Sequence, residues 1–268
     1  MADSPGRTLR KDGMDLIIAA DNLNILNPVV AQALASLDPQ PLQELARRLE
    51  QAGADLIDIN PGFLPPRRHD RMAFMVEAVQ QVTTLRLILD SPDARVLARG
   101  LAAADKPPIL NACTLEEEKL REILPLAAQH GTDLVLLLLN DRSFPAAALD
   151  GKITLALELR EHALAAGLTD AQLIYDPVLP NLTWPDAWAQ VGEVVKAVRL
   201  LHGGELWGEP ARTMAGISNL RSGLRHTYPV RVEEAILGVL AGAGLGLALV
   251  DVLQPGLMET VRVIKQAV

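Results

Sequence analysis

Leu85-Arg86-Leu87-Ile88-Leu89-Asp90-Ser91-Pro92-Asp93 is a short apolar run that stops on an acid and passes at once into helix-start chemistry. Leu85–Leu89 is nearly continuous rather than alternating in polarity, which predicts a strand buried on both faces. Ser91-Pro92-Asp93 sets a cap residue just before a first-turn proline, so a helix is expected immediately afterwards. A buried strand that feeds a helix this quickly is the repeating unit of a parallel sheet covered by helices.

The same unit recurs along the chain. Strand-like runs are Leu16–Ala20, Leu56–Ile59, Leu85–Leu89, Pro108–Leu110, Leu134–Leu139, Leu173–Tyr175, Thr213–Ile217 and Leu245–Val250. Helical patterns such as Pro41–Ala52 and Thr114–His130 separate them, and Thr114 with Glu117 has capping-box spacing. Gly53, Gly131 and Gly167 each follow a helix, where a left-handed stop is needed. Eight such units with no break in composition predict one α/β domain, a closed (β/α)8 TIM barrel over residues 14–268 behind a flexible polar tail, residues 1–13. An open, doubly wound sheet is the alternative.

Composition narrows the function classes. Apolar residues make up 49% of the 268 residues and aromatics only 3%, so the core is built from Ala, Leu, Val and Ile. A net charge of −8 opposes nucleic-acid binding. Cys113 is the single cysteine, which leaves no disulfide framework and no thiolate zinc site. The longest apolar run, Ala235–Val250, is broken by glycines and falls short of the roughly 18 residues of a membrane span. It reads as a helix turning into a buried strand. The expectation is a soluble, cytoplasmic protein without membrane contact.

In barrels, chemistry sits where strands end. Those ends carry Asp21, Asn22 and Asn24, then Asn60, Asp90, Asn111, Asn140, Asp176, Asn219 and Asp251. Asx residues also serve turns and caps, and about half of these positions could be explained that way. A ring of amides and carboxylates suits a flat heterocycle whose edge alternates N–H and C=O groups, such as a pterin. A metal site is the poorer reading, because His69, His130, His162, His202 and His226 lie outside the strand ends without ligand spacing. Gly242-Ala243-Gly244-Leu245-Gly246 precedes a strand instead of following one, so it reads as close packing and not as a dinucleotide loop. No lysine stands at a strand end, and Cys113 has no histidine nearby in sequence, so no covalent nucleophile is evident.

Taken in order, Leu89-Asp90-Ser91-Pro92-Asp93, Leu110-Asn111-Ala112-Cys113, Tyr175-Asp176-Pro177 and Gly216-Ile217-Ser218-Asn219 give the chain a resemblance. It resembles the pterin-binding methyltransferases that use methyltetrahydrofolate and a corrinoid protein, relatives of dihydropteroate synthase. Ala20-Asp21-Asn22-Leu23-Asn24 and Asp58-Ile59-Asn60-Pro61-Gly62 extend the likeness. The resemblance implies that Asp90, Asn111 and Asp176 hydrogen-bond the pterin, with Asn24, Asn60, Ser218 and Asn140 lining it. It places Asn219 near N5 as a catalytic residue beside Asp176, and Arg221 against the glutamate tail or a corrinoid phosphate. The implied reaction moves a methyl group between N5 of tetrahydrofolate and the cobalt of a cobalamin held by a partner protein, and a homodimer is implied too. Ala20-Asp21 stands where the family usually has Gly-Glu, Asp93 where Asn is common, and Arg221 where a smaller residue is usual. These departures leave a non-catalytic pterin-binding subunit as an alternative. Dihydropteroate synthase is another, though Asn24-Ile25-Leu26-Asn27 and Ser218-Asn219-Leu220-Arg221 match neither of its loop signatures.

Overall fold

The computed structural model describes residues 16–267, so the tail expected over residues 1–13 lies outside the described residues. Eight parallel strands close on themselves in chain order: β1 (Ile17–Asn24), β2 (Leu56–Asn60), β3 (Arg86–Asp90), β4 (Ile109–Cys113), β5 (Asp133–Leu137), β6 (Leu173–Asp176), β7 (Arg212–Gly216) and β8 (Leu247–Val250). Closure is explicit in the pairing of β1 with β8, from Ile17 opposite Leu247 to Ala20 opposite Val250, and it rules out the open sheet. The outer ring is α1 (Pro28–Ser36), α2 (Gln40–Ala52), α3 (Asp70–Gln80), α4 (Ala94–Ala103), α5 (Glu117–His130), α6 (Leu149–Ala165), α7 (Ala187–His202), α8 (Arg231–Gly242) and α9 (Pro255–Ala267). The chain is therefore a (β/α)8 barrel with one extra helix, α1, in its first βα connection.

Strand alternation divides the core in two. Ile17, Ala19, Leu56, Ile88, Ile109, Val135, Ile174, Met214 and Leu247 fill the barrel, while the intervening residues pack outward on the helices. Gly100 lets α4 lie close to the sheet, since a Cβ there would fall 2.7 Å from both Leu89 Cδ1 and Met72 Cγ. Arg86, Asp133 and Arg212, from the first residues of β3, β5 and β7, close the N-terminal end, with Asp133 Oδ2 2.7 Å from Arg86 Nη1 and 3.0 Å from Arg212 Nη2.

Several boundaries differ from the sequence reading. β1 runs on to Asn24, because a register shift between Ala20 and Leu23 lets its end stay paired with β2. β5 stops at Leu137, since Leu139 leaves the sheet to bridge Pro145. Two helix starts differ as well. Asp93, not Ser91, caps α4 by accepting from Arg95 N at 2.8 Å, and Ser91 Oγ accepts from Asp93 N one step earlier. Thr114 makes no capping box with Glu117, for α5 begins only at Glu117 and the Thr114 hydroxyl accepts from Glu116 N. Gly53 and Gly131 are left-handed stops as expected, at φ 103° and 59°. Ala235–Val250 does turn from α8 into β8, and no helix among the described residues is long and apolar enough to cross a membrane.

Candidate functional site at the C-terminal mouth

The last residues of the strands decide what faces the mouth. Asp90, Asn111 and Asp176 each stand two residues beyond an interior residue (Ile88, Ile109 and Ile174), so the pleat turns all three inward. Each keeps hydrogen-bonding capacity in hand. Asp90 Oδ2 accepts from Asn60 Nδ2 at 2.8 Å, leaving Oδ1 without a donor among the described residues. Asp176 Oδ1 accepts from Val178 N at 2.8 Å, leaving Oδ2 in the same state. The Asn111 side chain is buried, and no described residue hydrogen-bonds its amide. Two acceptors and one amide, held on rigid strands, match the edge of a flat heterocycle that carries N–H and ring-nitrogen groups.

Burial sets the charge of this layer. It pushes Asp90 up to about 6 against the opposing Asn60 hydrogen bond. Asp176 also rises to about 6, moderated by the Val178 N–H and the Lys152 ammonium. Asp21 on β1 rises to about 6, moderated by the Ser218 hydroxyl, which donates to Asp21 Oδ2. Asp58, one inward step below Asn60 on β2, is 2% exposed, and its Oδ1 has no hydrogen-bond partner. Its carboxyl is pushed well above the usual carboxylate range, first by burial and then by Asp90 and Asp21. The mouth is therefore a carboxyl layer poised between neutral and ionised near physiological pH.

The remaining strand-end residues divide by what their side chains already hold. Asn60 Oδ1 accepts from Gly62 N, so Asn60 both turns its loop and orients Asp90. Asn24 is consumed locally, donating to Asp21 O at 2.5 Å and accepting from Leu26 N at 3.0 Å. Asn140 Oδ1 accepts from Arg142 N and Phe144 N, capping its own turn. Asn22 and Asp251 tie β1 to β8 through a 2.5 Å bond. Asn219 lies on a 3-10 turn (Ile217–Arg221) directly after β7, exposed at the rim. A Cβ on Gly216 would fall 3.1 Å from Asn219 Nδ2, so the glycine leaves room for that amide over the strand end.

Arg221 takes a place the sequence reading did not foresee. It is 5% exposed, pairs with Glu233 on α8 through Nε–Oε1 at 2.9 Å and Nη2–Oε2 at 3.2 Å, and donates from Nη1 to Tyr228 O. Its guanidinium clamps the loop after β7 to α8. Two functional candidates were missed: Asp58, and Lys152 on α6, which is fully buried with Nζ donating to Pro177 O at 2.7 Å. Lys152 precedes Leu155, Ala156 and Leu159 at helical spacing, and that pattern was the available clue to its burial.

The rim of the mouth carries exposed apolar side chains among its polar ones. Leu26, Phe63 and Phe144 are 85%, 93% and 65% exposed on the loops after β1, β2 and β5, and Trp184 and Trp188 stand exposed after β6. A cleft of ≈ 390 Å³ opens at the N-terminal ends of α4 and α5, lined by Phe63, Asp93, Arg95, Glu116, Lys119 and Ser143. Arg95 and Lys119 are already paired with Asp93 and Glu116. Among the described residues no group of His, Cys, Asp and Glu could hold a metal ion. Cys113 is buried and pushed up to about 12, the state of a packing thiol.

A family model described as "Pterin binding enzyme" matches residues 23–252. Over 170 residues the chain is 28% identical to a methylcorrinoid:tetrahydrofolate methyltransferase of Eubacterium limosum, a match covering 63% of this chain and 62% of that one. Over 234 residues it is 24% identical to methionine synthase of Mycobacterium leprae, covering 83% of this chain but 19% of that longer protein. Dihydropteroate synthases share the fold. The enzyme from Xanthomonas albilineans superposes with TM-score 0.71 at 17% identity, covering 95% of this chain and 93% of that one. The enzyme from Yersinia pestis, determined with a pterin–sulfa conjugate, gives 0.67 at 21%, covering 95% and 94%.

Proposed function

We propose, from the premise that the chain belongs to the pterin binding enzyme family, that it moves a methyl group between N5 of tetrahydrofolate and the cobalt of a corrinoid carried by a partner protein. The observation that carries this reading is the uncommitted set at the mouth: Asp90 Oδ1, the Asn111 amide and Asp176 Oδ2, inward on the ends of β3, β4 and β6. The name of the Eubacterium limosum relative supports the choice of substrates. In this reading Asp90, Asn111 and Asp176 hold the pterin edge, with Asn60 and Ser218 supporting through Asp90 and Asp21. Asn24 and Asn140 shape the neighbouring loops.

Chemistry at N5 needs help from the protein. As the methyl–nitrogen bond breaks, its electron pair stays on nitrogen, and a tertiary amine leaves poorly unless N5 gains a proton or hydrogen bond. Asn219, exposed on the rim turn, is the residue assigned to N5. An amide that bonds N5 more strongly as the bond breaks favours the transition state over the bound substrate. The corrinoid supplies the cobalt centre that exchanges the methyl group. This chain supplies positioning, a mouth that excludes water from the pterin edge, and exposed apolar side chains on the rim for the partner to cover. The reading includes a homodimer in the cytoplasm, checked by light scattering and cell fractionation.

The experiment is methyl exchange between methyltetrahydrofolate and free cob(I)alamin, followed spectroscopically in both directions. Exchange supports the reading. Tetrahydrofolate binding without exchange to free or protein-bound corrinoid would replace it with a non-catalytic pterin-binding subunit. Condensation of a dihydropterin pyrophosphate with p-aminobenzoate would replace it with dihydropteroate synthesis.

A further inference from the structure

Lys152 has no place in the reading above, yet it is a fully buried cation next to the site. It rises from the first turn of α6 and donates from Nζ to Pro177 O at 2.7 Å, the carbonyl directly after Asp176. That carbonyl begins a strap, residues 177–182, that crosses from β6 towards the loop after β7. The strap is pinned at both ends. At its start Val178, at φ 60°, donates to Asp176 Oδ1 at 2.8 Å. At its far end Asn181 Nδ2 donates to Asn219 O at 3.3 Å and to Ser222 O at 2.9 Å, and Leu182 N donates to Leu220 O at 3.1 Å. The turn that carries Asn219 therefore hangs on the same strap that orients Asp176.

We propose that Lys152 is a positioning residue for both, fixing the strap through Pro177 and serving as the counter-cation of Asp176. This rests on the pterin-site reading for its consequence, but its geometry stands without it. The charges facing Lys152 are Asp176 from β6 and Glu193 from α7. Glu193 is itself engaged, accepting from Leu149 N and Lys196 Nζ. Asp176 is thus the carboxylate that gains most from the buried ammonium, and without it burial would drive Asp176 further towards the neutral acid. Because Oδ1 already accepts from Val178 N, a proton would sit on Oδ2 and turn the oxygen offered to a ligand N–H into a donor.

Three variants separate the charge from the anchor. Lys152→Gln keeps an N–H donor and loses the charge, Lys152→Met loses both, and Lys152→Arg keeps both. The first readout needs no ligand: the Asp176 carboxyl, labelled with carbon-13 and assigned with Asp176→Asn, is titrated by NMR. Its pKa should rise by about one unit in Lys152→Gln and stay near wild type in Lys152→Arg. The second is tetrahydrofolate affinity against pH. Its acidic limb should move up with the NMR value, with affinity about twofold weaker at pH 7 and close to tenfold weaker at pH 5, where one pKa unit is fully expressed. Asn181→Ala, at a half-buried position outside the carboxyl layer, should slow methyl transfer while leaving folate affinity near wild type. An unmoved Asp176 titration in folded Lys152→Gln overturns the counter-cation role, and unchanged transfer in Asn181→Ala overturns the strap. If the wild type binds no tetrahydrofolate, the pterin reading fails, and the NMR titration still decides the role of Lys152.

Discussion

Asp58 puts a carboxyl where solvent and donors are both missing, and that isolation has a measurable sign. Its pKa is raised by burial and by Asp90 and Asp21, so the folded state holds its proton more tightly than the unfolded chain does. A carboxyl of this kind contributes stability below the unfolded value of about 4, and loses it as pH rises through the folded value. Asp58→Asn mimics the neutral acid and cannot ionise. Thermal melts should show the variant close to wild type at pH 4 and increasingly more stable towards pH 9; a difference that stays flat with pH would refute the assignment. Asn219 makes the opposite kind of claim, because its amide is exposed and holds nothing in the fold. Asn219→Ala should leave the melting temperature unchanged and tetrahydrofolate affinity within a few-fold, yet slow methyl exchange by about a hundredfold, as loss of a transition-state hydrogen bond does. Weaker binding with unchanged exchange of the bound folate would remove Asn219 from N5. These two residues also mark the limit of sequence reading. Asn24, Asn140 and Asn111 are the same residue type at equivalent strand ends, but the first two spend their amides on their own turns and Asn111 does not. Only the chain path beyond each strand separates the cases.

At the level of elements, the runs of apolar residues located every strand because strands covered on both faces have no polar side to confuse the pattern. What the runs could not carry was contact between elements. Arg221 and Glu233 illustrate this: one stands in a turn, the other twelve residues on in α8, and no periodicity links them. Their ion pair is almost closed to solvent, at 6% and 5% side-chain exposure. Removing one partner leaves the other charge buried alone, whereas removing both leaves a cavity that apolar side chains can fill. Arg221→Met is therefore expected to destabilise by about 3–5 kcal/mol in denaturant unfolding, and adding Glu233→Leu should recover most of that loss. If the double variant is no more stable than Arg221→Met, the pair is not what fixes the turn. The 3-10 turn carrying Ser218 and Asn219 is held to α8 through this pair, so an element that looks peripheral sets the outer edge of the mouth.

For the molecule as a whole, the carboxyl layer at one end makes ligand binding and folding respond to pH in opposite directions. Asp21, Asp90 and Asp176 each have folded values near 6, raised first of all by burial, so the free protein loses their contribution as pH climbs through 6. Other groups pull the other way: Asp93, Glu116 and Glu193 are lowered by Arg95, Lys119 and Lys196, and they favour the fold more as pH rises past about 4. A stability curve of the free protein mixes both sets. In the proposed reading the mouth carboxylates meet the ligand, so the difference between ligand-bound and free protein isolates the first set. In that reading Asp90 and Asp176 accept pterin N–H groups as ionised carboxylates. With values near 6, each is about one-tenth ionised at pH 5 and mostly ionised at pH 7, so affinity falls by up to about a hundredfold between them. A folate concentration a hundred times the dissociation constant at pH 7 stabilises by about 2.7 kcal/mol. At the same concentration at pH 5 that stabilisation should shrink to below about 1 kcal/mol. Melting curves with and without tetrahydrofolate, kept anaerobic, should thus show a ligand-induced shift that grows from pH 5 to pH 7 and levels off above it. Asp176→Asn should flatten that rise. A shift independent of pH in the wild type would mean that the pterin does not meet these carboxylates at all.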